Sequence, residues 1–437
     1  MVALMKREMY ELLVQWKKNK KRKPLILFGA RQVGKTYLVE QFAKENYEYL
    51  YSINFEFDKD AAKLFSQNLD MKTLLLQLSA YKTDVPIQEK KTLLFFDEAQ
   101  NSPQVLTALK SFALDGRFDV IVSGSMLGII MHEVSSYPVG YVETLYMRPM
   151  NFKEFLWASG YSTEQIEIFK QFYDEKKSLP ESLHDTLMKL FLHYTAVGGM
   201  PEAVLTYIET SNLYEVLEVQ KRIIADYKND IAKYASKTMR EKARECFESI
   251  PDQLAKENKK FQYKILKNKG TSRTYANSLG WIIDAGLGIK VHRLKTFDIP
   301  LKAYRDPNAF KFYLNDTGIL LAFYKENVSY EIINGNLGVF KGGIFENVIA
   351  QCLINNDLDL YYYQKADYLE IDFVTYMDHK IVPIEVKSSK NTKAISLKNL
   401  VEKEKLDYGI VLSTKNLNWS HQKIKYLPLY MVMFMRC

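Results

Sequence analysis

The chain has 437 residues, 47% of them hydrophobic and 26% charged, with 60 Lys plus Arg against 52 Asp plus Glu for a formal net charge of +8. That composition excludes a mainly disordered, collagen-like or disulfide-scaffold protein, and at ~150 residues per domain the length implies about three domains. The charge is mild for this size: it permits an anionic partner without demanding one. Cys246, Cys352 and Cys437 are far apart and outside any CxxC spacing, and the histidines show no HxH or HExxH pattern. A zinc knuckle is therefore excluded, and a reducing compartment fits. No segment approaches ~20 uninterrupted apolar residues, so the expectation is a cytoplasmic chain that does not enter a membrane.

Residues 4 to 16 carry apolar side chains at helical spacing, and the basic run Lys17 to Lys23 follows, closed by Pro24. That run fits a solvated helix end better than a nucleic-acid contact. Leu25 to Phe28 is a short apolar run of the kind expected for a central strand, and GARQVGKT and a helical stretch from Tyr37 follow it. Two more apolar runs, TLLFFDEAQ near residue 95 and VIVSGS near residue 122, alternate with helical stretches. Strands alternating with helices predict an α/β domain with a parallel sheet.

From about residue 149 the spacing turns helical, broken by TAVGGMPEAV, whose glycines predict a tight turn between helices near the GARQVGKT loop. Residues 245 to 295 predict a helix, a turn at Gly270, a second helix from Thr271 or Ser272, a third helix carrying Leu279, Trp281, Ile282 and Ile283, and a short strand pair, the rhythm of a winged helix-turn-helix. Thr271 to Tyr275 would open the second helix of that motif. Lys256, Lys259, Lys260, Lys264, Lys267 and Lys269 surround it, as phosphate contacts require, although a solvated lysine face gives the same pattern. Beyond residue 330 the texture is α+β.

The sharpest motif is Gly29-Ala30-Arg31-Gln32-Val33-Gly34-Lys35-Thr36, a complete G-x-x-x-x-G-K-T between a strand and a helix. Glycines let the loop curl so that its N–H groups converge on phosphate oxygens at a positive helix N-terminus. Lys35 supplies a mobile charge to the β and γ phosphates, and the Thr36 hydroxyl ligates Mg²⁺. The strand Leu93 to Phe96 delivers Asp97 and Glu98 at its carboxyl end, where open α/β sheets bind ligands. Asp97 would hold Mg²⁺ through water and Glu98 would polarise the attacking water. Ser123 or Ser125 either contacts the γ-phosphate or the water, or serves the turn there. ATP and Mg²⁺ are the cofactors these residues imply.

A second set lies near the C-terminus. In Ile384-Glu385-Val386-Lys387 the strand period of 2 puts Glu385 and Lys387 on one face, and Asp372 reaches that face if IDFV is the neighbouring hairpin strand. Two carboxylates beside a lysine can bind a metal and orient water for phosphodiester attack, and an exposed hairpin of cross-strand charge pairs has the same pattern.

The loop, LLFFDEAQ, the S-G-S strand end, PVGYVETLYMRPMNFKEFL and GGMPEAV together resemble prokaryotic AAA-type ATPases joined to a C-terminal domain with a restriction-endonuclease-like core. The resemblance spans nearly the whole chain. It implies that Gly29 to Thr36 are Walker A, Asp97 and Glu98 Walker B, and a serine at 123–125 sensor 1. Asp372, Glu385 and Lys387 match the PD-(D/E)XK signature, with Ile371 where that signature has proline, and Glu346 matches its upstream helical glutamate. No arginine finger is evident; Arg117, Arg148 and Arg222 are equal candidates. The domains implied are a P-loop ATPase core over 1–150, a helical lid over 151–240, a winged helix over 241–330 and a nuclease-like α+β domain over 331–437. The expected function is Mg²⁺-dependent ATP binding and hydrolysis that controls a DNA-interacting winged helix and a nuclease-like domain in an oligomer or a monomer. The alternative is a nucleotide-controlled switch that docks DNA or a protein and cleaves nothing. A small-molecule kinase shares the loop but would need an acceptor site, and none is visible.

Overall fold

The computed structural model describes residues 5–66, 69–124, 138–236, 238–267, 270–324, 328–334, 341–365, 369–388, 394–419 and 423–436. Residues 6–148 with 284–286 form one compact unit, and residues 149–283 with 287–436 form another.

In the first unit α1 (Glu8–Lys18) leads to β1 (Leu25–Phe28) and α2 (Lys35–Asn46). There follow β2 (Tyr49–Asn54), α3 (Met71–Tyr81), β3 (Thr92–Asp97), α4 (Gln104–Asp115), β4 (Asp119–Gly124) and β5 (Glu143–Tyr146). The five strands make a parallel sheet in the order β2-β3-β4-β1-β5. β1, β3 and β4 are buried along their whole length, which is why each reads as a continuous apolar run. Alternation divides their side chains between two faces. Ile26, Phe28, Leu94, Phe96, Val120 and Val122 join Leu74, Leu78, Leu106 and Leu109 in one core, each fully buried side chain contributing about 1.5–3 kcal/mol. Leu93, Phe95 and Asp97 therefore face the other way, toward the side that α2 covers. Since Leu94 pairs with Val120 and Phe96 with Val122, Asp97 and Ser123 are the next neighbours along that ladder.

The second unit begins with helices. These are α5 (Phe152–Ala158), started by an Asn151–Glu154 capping box, α6 (Thr163–Asp174), α7 (Glu181–Val197), α8 (Pro201–Thr210) and α9 (Leu213–Tyr234). Then come α10 (Arg240–Leu254), α11 (Ser272–Asp284), β6 (Gly288–Leu294), β7 (Arg305–Leu314), α12 (Thr317–Ala322), α13 (Val328–Asn334) and α14 (Lys341–Asn355). β8 (Tyr361–Lys365), β9 (Leu369–Met377), β10 (Lys380–Val386), α15 (Ile395–Lys403), β11 (Gly409–Ser413) and β12 (Ile424–Pro428) complete it. All seven strands share one mixed sheet in the order β12-β11-β10-β9-β8-β6-β7. The second and third helices expected here are one helix, α11, which carries Leu279, Trp281, Ile282 and Ile283 in a single amphipathic run. The strand pair expected after it is β6–β7, and through the parallel β6–β8 pairing it continues that sheet across residue 330. α15 and β9–β11 bury Leu397, Leu400, Val401, Ile371 and Val411 together. α14 contacts β7 and β10, and it is buried on all sides from Gly343 to Leu353, with Glu346, Asn347 and Gln351 the polar residues in that stretch.

The two glycines of the GGMPEAV turn pack inside this second unit. A Cβ on Gly199 would lie 2.1 Å from the Met150 carbonyl oxygen, and its N–H donates to Asp316 at 2.6 Å.

Candidate functional site

The phosphate loop leaves β1 after Phe28 and re-enters helix at Lys35. Gly34 caps α2 in the left-handed region at φ 92°, and Gly29 lies so close to the strand beyond that a Cβ would sit 2.3 Å from the Met147 carbonyl oxygen. Lys35 is 4% exposed, and its ammonium donates to the carbonyls of Gly29 (2.9 Å) and Ala30 (2.8 Å). The Thr36 hydroxyl donates to Asp97 Oδ2 at 2.8 Å, Asn54 Nδ2 donates to the same oxygen at 3.0 Å, and the Ser123 hydroxyl donates to Asp97 Oδ1. Gly29, Lys35, Thr36, Asp97 and Ser123 are thus one constellation at the carboxyl ends of β1, β3 and β4. Ser125 lies outside the described residues.

Glu98 stands at φ 54°, turning out of the strand, with Gln100 Nε2 donating to its carboxylate. Arg31, within the loop, donates to both oxygens of Glu56 at 3.0 Å and lies 3.8 Å from Glu98 Oε2. Arg7, 6% exposed at the start of α1, donates to the carbonyls of Val33 (2.8 Å) and Arg148 (2.7 Å). From the sequence, Arg31 was placed only among the loop residues at the nucleotide, not as a bridge to Glu56 and Glu98, and Arg7 was given no role. Arg7 gives no motif signal, whereas a charged residue at a variable position of the loop was a visible cue for Arg31. Of the arginines weighed as a finger, Arg117 precedes β4 and pairs with Asp115 and Glu89, at the end of the strand opposite Ser123. Arg222 pairs with Glu202 in the other unit, and Arg148 offers its carbonyl to Arg7.

The residues fit a magnesium ion at the loop: a hydroxyl and a carboxylate already in contact are the hard oxygen donors it takes.

The second set gathers on the α14 side of the seven-stranded sheet. Phe373 pairs with Ile384, so Asp372 and Glu385 come next along the hairpin, and the Val386 N–H donates to Asp372 Oδ2 at 2.8 Å. Glu346 on α14 is 4% exposed; Lys259 Nζ lies 2.8 Å from its Oε1, and Tyr313 Oη (2.8 Å) and Lys311 Nζ (3.2 Å) meet its Oε2. Burial alone would raise the Glu346 pKa, but Lys311 and Lys259 outweigh it and hold the carboxyl well below the usual carboxylate range. Burial, followed by the charge of Glu346, pushes Asp372 above the usual carboxylate range. Lys387 pairs with Glu385 Oε1 at 2.5 Å, and Glu385 Oε2 is buried without a hydrogen-bond partner. Lys259, expected among the phosphate contacts, is spent here instead. Lys311 was not singled out, yet a lysine alone in Ala309-Phe310-Lys311-Phe312-Tyr313-Leu314 is a cue for a buried charge that needs partners.

Among the described residues, Glu181, His184 and Asp185 also place ligand atoms close enough for one ion. Both His184 ring nitrogens are already engaged, by Tyr430 Oη (2.9 Å) and the Thr414 carbonyl (3.1 Å). No described helix is long and apolar enough to cross a membrane.

The chain is 24% identical over 375 residues to the uncharacterized protein MJ1544 of Methanocaldococcus jannaschii, covering 81% of this chain and 72% of that one. Partial structural likeness extends to the Walker-type ATPase PABY2304 of Pyrococcus abyssi, at TM-score 0.42 and 15% identity over 73% of this chain and 96% of that one. Orc1 of Aeropyrum pernix, solved in complex with DNA, follows at TM-score 0.31 and 12% identity over 74% and 93%. AMPPCP-bound DnaA from Aquifex aeolicus gives TM-score 0.28 and 14% identity over 58% and 73%. Residues 188–329 and 341–432 match two domains of unknown function, DUF8612 and DUF4143. Residues 21–156 match the AAA domain family, and the loop, the acidic strand end and the five-stranded parallel sheet lie in that segment.

Proposed function

We propose that the protein is a Mg²⁺-dependent ATPase whose nucleotide state controls a DNA-interacting surface on α10, α11 and the β6–β7 pair, a winged helix, together with the nuclease-like C-terminal sheet. The observation that carries the reading is the contact of Thr36 and Ser123 with opposite oxygens of Asp97 beside the phosphate loop.

Thr36 and Asp97 would hold the ion, which when bound neutralises charge developing on the phosphates. Lys35 exchanges its two carbonyl partners for phosphate oxygens, so its ammonium is already positioned at the loop before nucleotide arrives. Glu98 takes the water proton, and Ser123 keeps Asp97 oriented. The nuclease-like fold need not cleave. Of the two forms of this reading, the switch without nuclease activity is favoured, because Lys311 lies among the C-terminal carboxylates.

The deciding experiment measures ATP turnover of the wild type and of Lys35→Ala, with and without DNA. Loss of turnover in a folded variant, and a DNA-dependent rate in the wild type, are expected. Equal turnover in the two proteins defeats the assignment.

A further inference from the structure

Four carboxylates converge beneath α14: Glu346 on the helix, Glu370 and Asp372 on β9, and Glu385 on β10. A nuclease of the resembled class would fill such a cluster with a divalent metal. Here a lysine stands inside it. Lys311 reaches over from β7, three places away in the sheet, and its ammonium lies 2.6 Å from Glu370, 3.2 Å from Glu346 and 3.9 Å from Asp372.

Its side chain is 1% exposed and passes over the Tyr362 ring at 5.3 Å, so it has no open path to solvent. Burial by itself would drive the proton off, but Glu346, Asp372 and Glu370 outweigh that and keep the ammonium charged.

Taking the carboxylate oxygens in turn shows what is left for a metal. Both oxygens of Glu346 are engaged, one by Lys259 and the other by Lys311 and Tyr313. Asp372 gives Oδ2 to the Val386 N–H and turns Oδ1 toward Lys311, while Glu370 Oε1 is held by Lys311. Glu385 Oε1 belongs to Lys387, which leaves two oxygens: Glu385 Oε2, buried without a partner, and Glu370 Oε2, on a side chain 31% exposed. A magnesium ion wants about six oxygens in near-octahedral array. Four carboxylates already face three ammonium groups, those of Lys259, Lys311 and Lys387. The donor set does not fit the metal.

We infer that Lys311 is the resident cation of this cluster, so that the C-terminal sheet takes up no divalent metal and cleaves no phosphodiester. The tethered ammonium occupies the seat a metal would need, and it ties β7 to β9 and α14 in exchange. This holds whether or not the phosphate loop hydrolyses ATP.

The test titrates Mn²⁺ into nucleotide-free protein and follows the free-ion signal by electron paramagnetic resonance. Wild type and Asp372→Asn should give superimposable isotherms, since any weak uptake at the phosphate loop is common to both. Lys311→Met should gain one equivalent of bound Mn²⁺, with a melting temperature that rises on adding the ion. If Lys311→Met does not fold, Lys311→Met/Glu370→Gln removes one charge of each sign and is measured the same way. A wild-type protein that binds one equivalent more than Asp372→Asn overturns the inference, as does Mn²⁺-dependent plasmid cleavage abolished by Asp372→Asn. A folded Lys311→Met protein that gains no site overturns it as well.

Discussion

Arg7 donates to the carbonyl of Val33 at 2.8 Å and to that of Arg148 at 2.7 Å, so one buried guanidinium ties the start of α1 and the end of β5 to the phosphate loop. The loop's shape depends on left-handed backbone at Gln32 and Gly34 on either side of Val33, and Arg7 fixes the peptide between them. Arg7→Ala leaves two carbonyls without this donor, at about 1–3 kcal/mol each for a buried group. Thermal melting of the variant should drop by roughly 5–10 °C. The KM for ATP should rise about tenfold while kcat changes less, because the loop that holds the phosphates loosens. A steady-state ATP titration separates the two, and an unchanged KM would make Arg7 purely a stability residue.

Arg31 bridges Glu56 and Glu98, the carboxylate assigned to the attacking water. A restrained Glu98 is better placed than one free to rotate, and a single guanidinium nitrogen, Nη2, reaches both Glu56 oxygens and approaches Glu98. Arg31→Met and Glu56→Gln should therefore each lower kcat by about 10-fold or more, with ATP affinity within a few-fold of wild type. Combining them should cost little beyond the worse single change, since they act through one bridge. Additive losses in single-turnover rates would mean that the two residues act separately.

Asp316 is fully buried, caps α12 through the Ile319 N–H at 2.9 Å and accepts the Gly199 N–H at 2.6 Å. Burial outweighs those bonds and raises its pKa from 3.8 to about 6. A carboxyl raised in the folded state binds its proton more tightly there than in the unfolded chain. Its contribution is complete below pH 3.8 and is lost as pH rises through about 6, by an order of 3 kcal/mol at most. Asp316→Asn should be less stable at low pH, having one acceptor fewer, yet show a shallower decline between pH 4 and 7. Urea melts at several pH values give the difference slope, and parallel curves for the two proteins would refute it.

Much of the nucleotide site was legible in the sequence because it is local. A loop of eight residues and an acidic pair at a strand end carry their own spacing, and the buried strands β1, β3 and β4 stand out as apolar runs. The edge strands β2 and β5 were not anticipated. Tyr49–Asn54 and Glu143–Tyr146 are half exposed, so neither forms such a run. The C-terminal hairpin was likewise visible from period-2 alternation. What alternation cannot show is a side chain arriving from a distant strand: Lys311 and Lys259 enter the cluster through tertiary packing alone, and they change its chemistry. The second strand pair was anticipated but not its continuation into the larger sheet, because strand order is set by contacts that local pattern does not carry.

The basic residues around α10 and α11 divide into two groups that substitution should separate. Lys259 is 17% exposed at its side chain and lies 2.8 Å from the buried Glu346. Removing it strands part of a buried negative charge. Lys259→Ala should destabilise the protein by about 2–4 kcal/mol, short of the full cost of an unpaired buried ion because Lys311 remains. Arg273 and Lys264 are exposed, Arg273 in the first turn of α11. Arg273→Ala should leave the melting temperature within about 2 °C. If the proposed DNA surface is real, the same change should weaken binding to duplexes of any sequence and reduce the slope of log K against log salt by about 1. Fluorescence anisotropy across a salt series measures that slope. A variant whose slope and affinity both match wild type would remove α11 from any contact with the phosphate backbone.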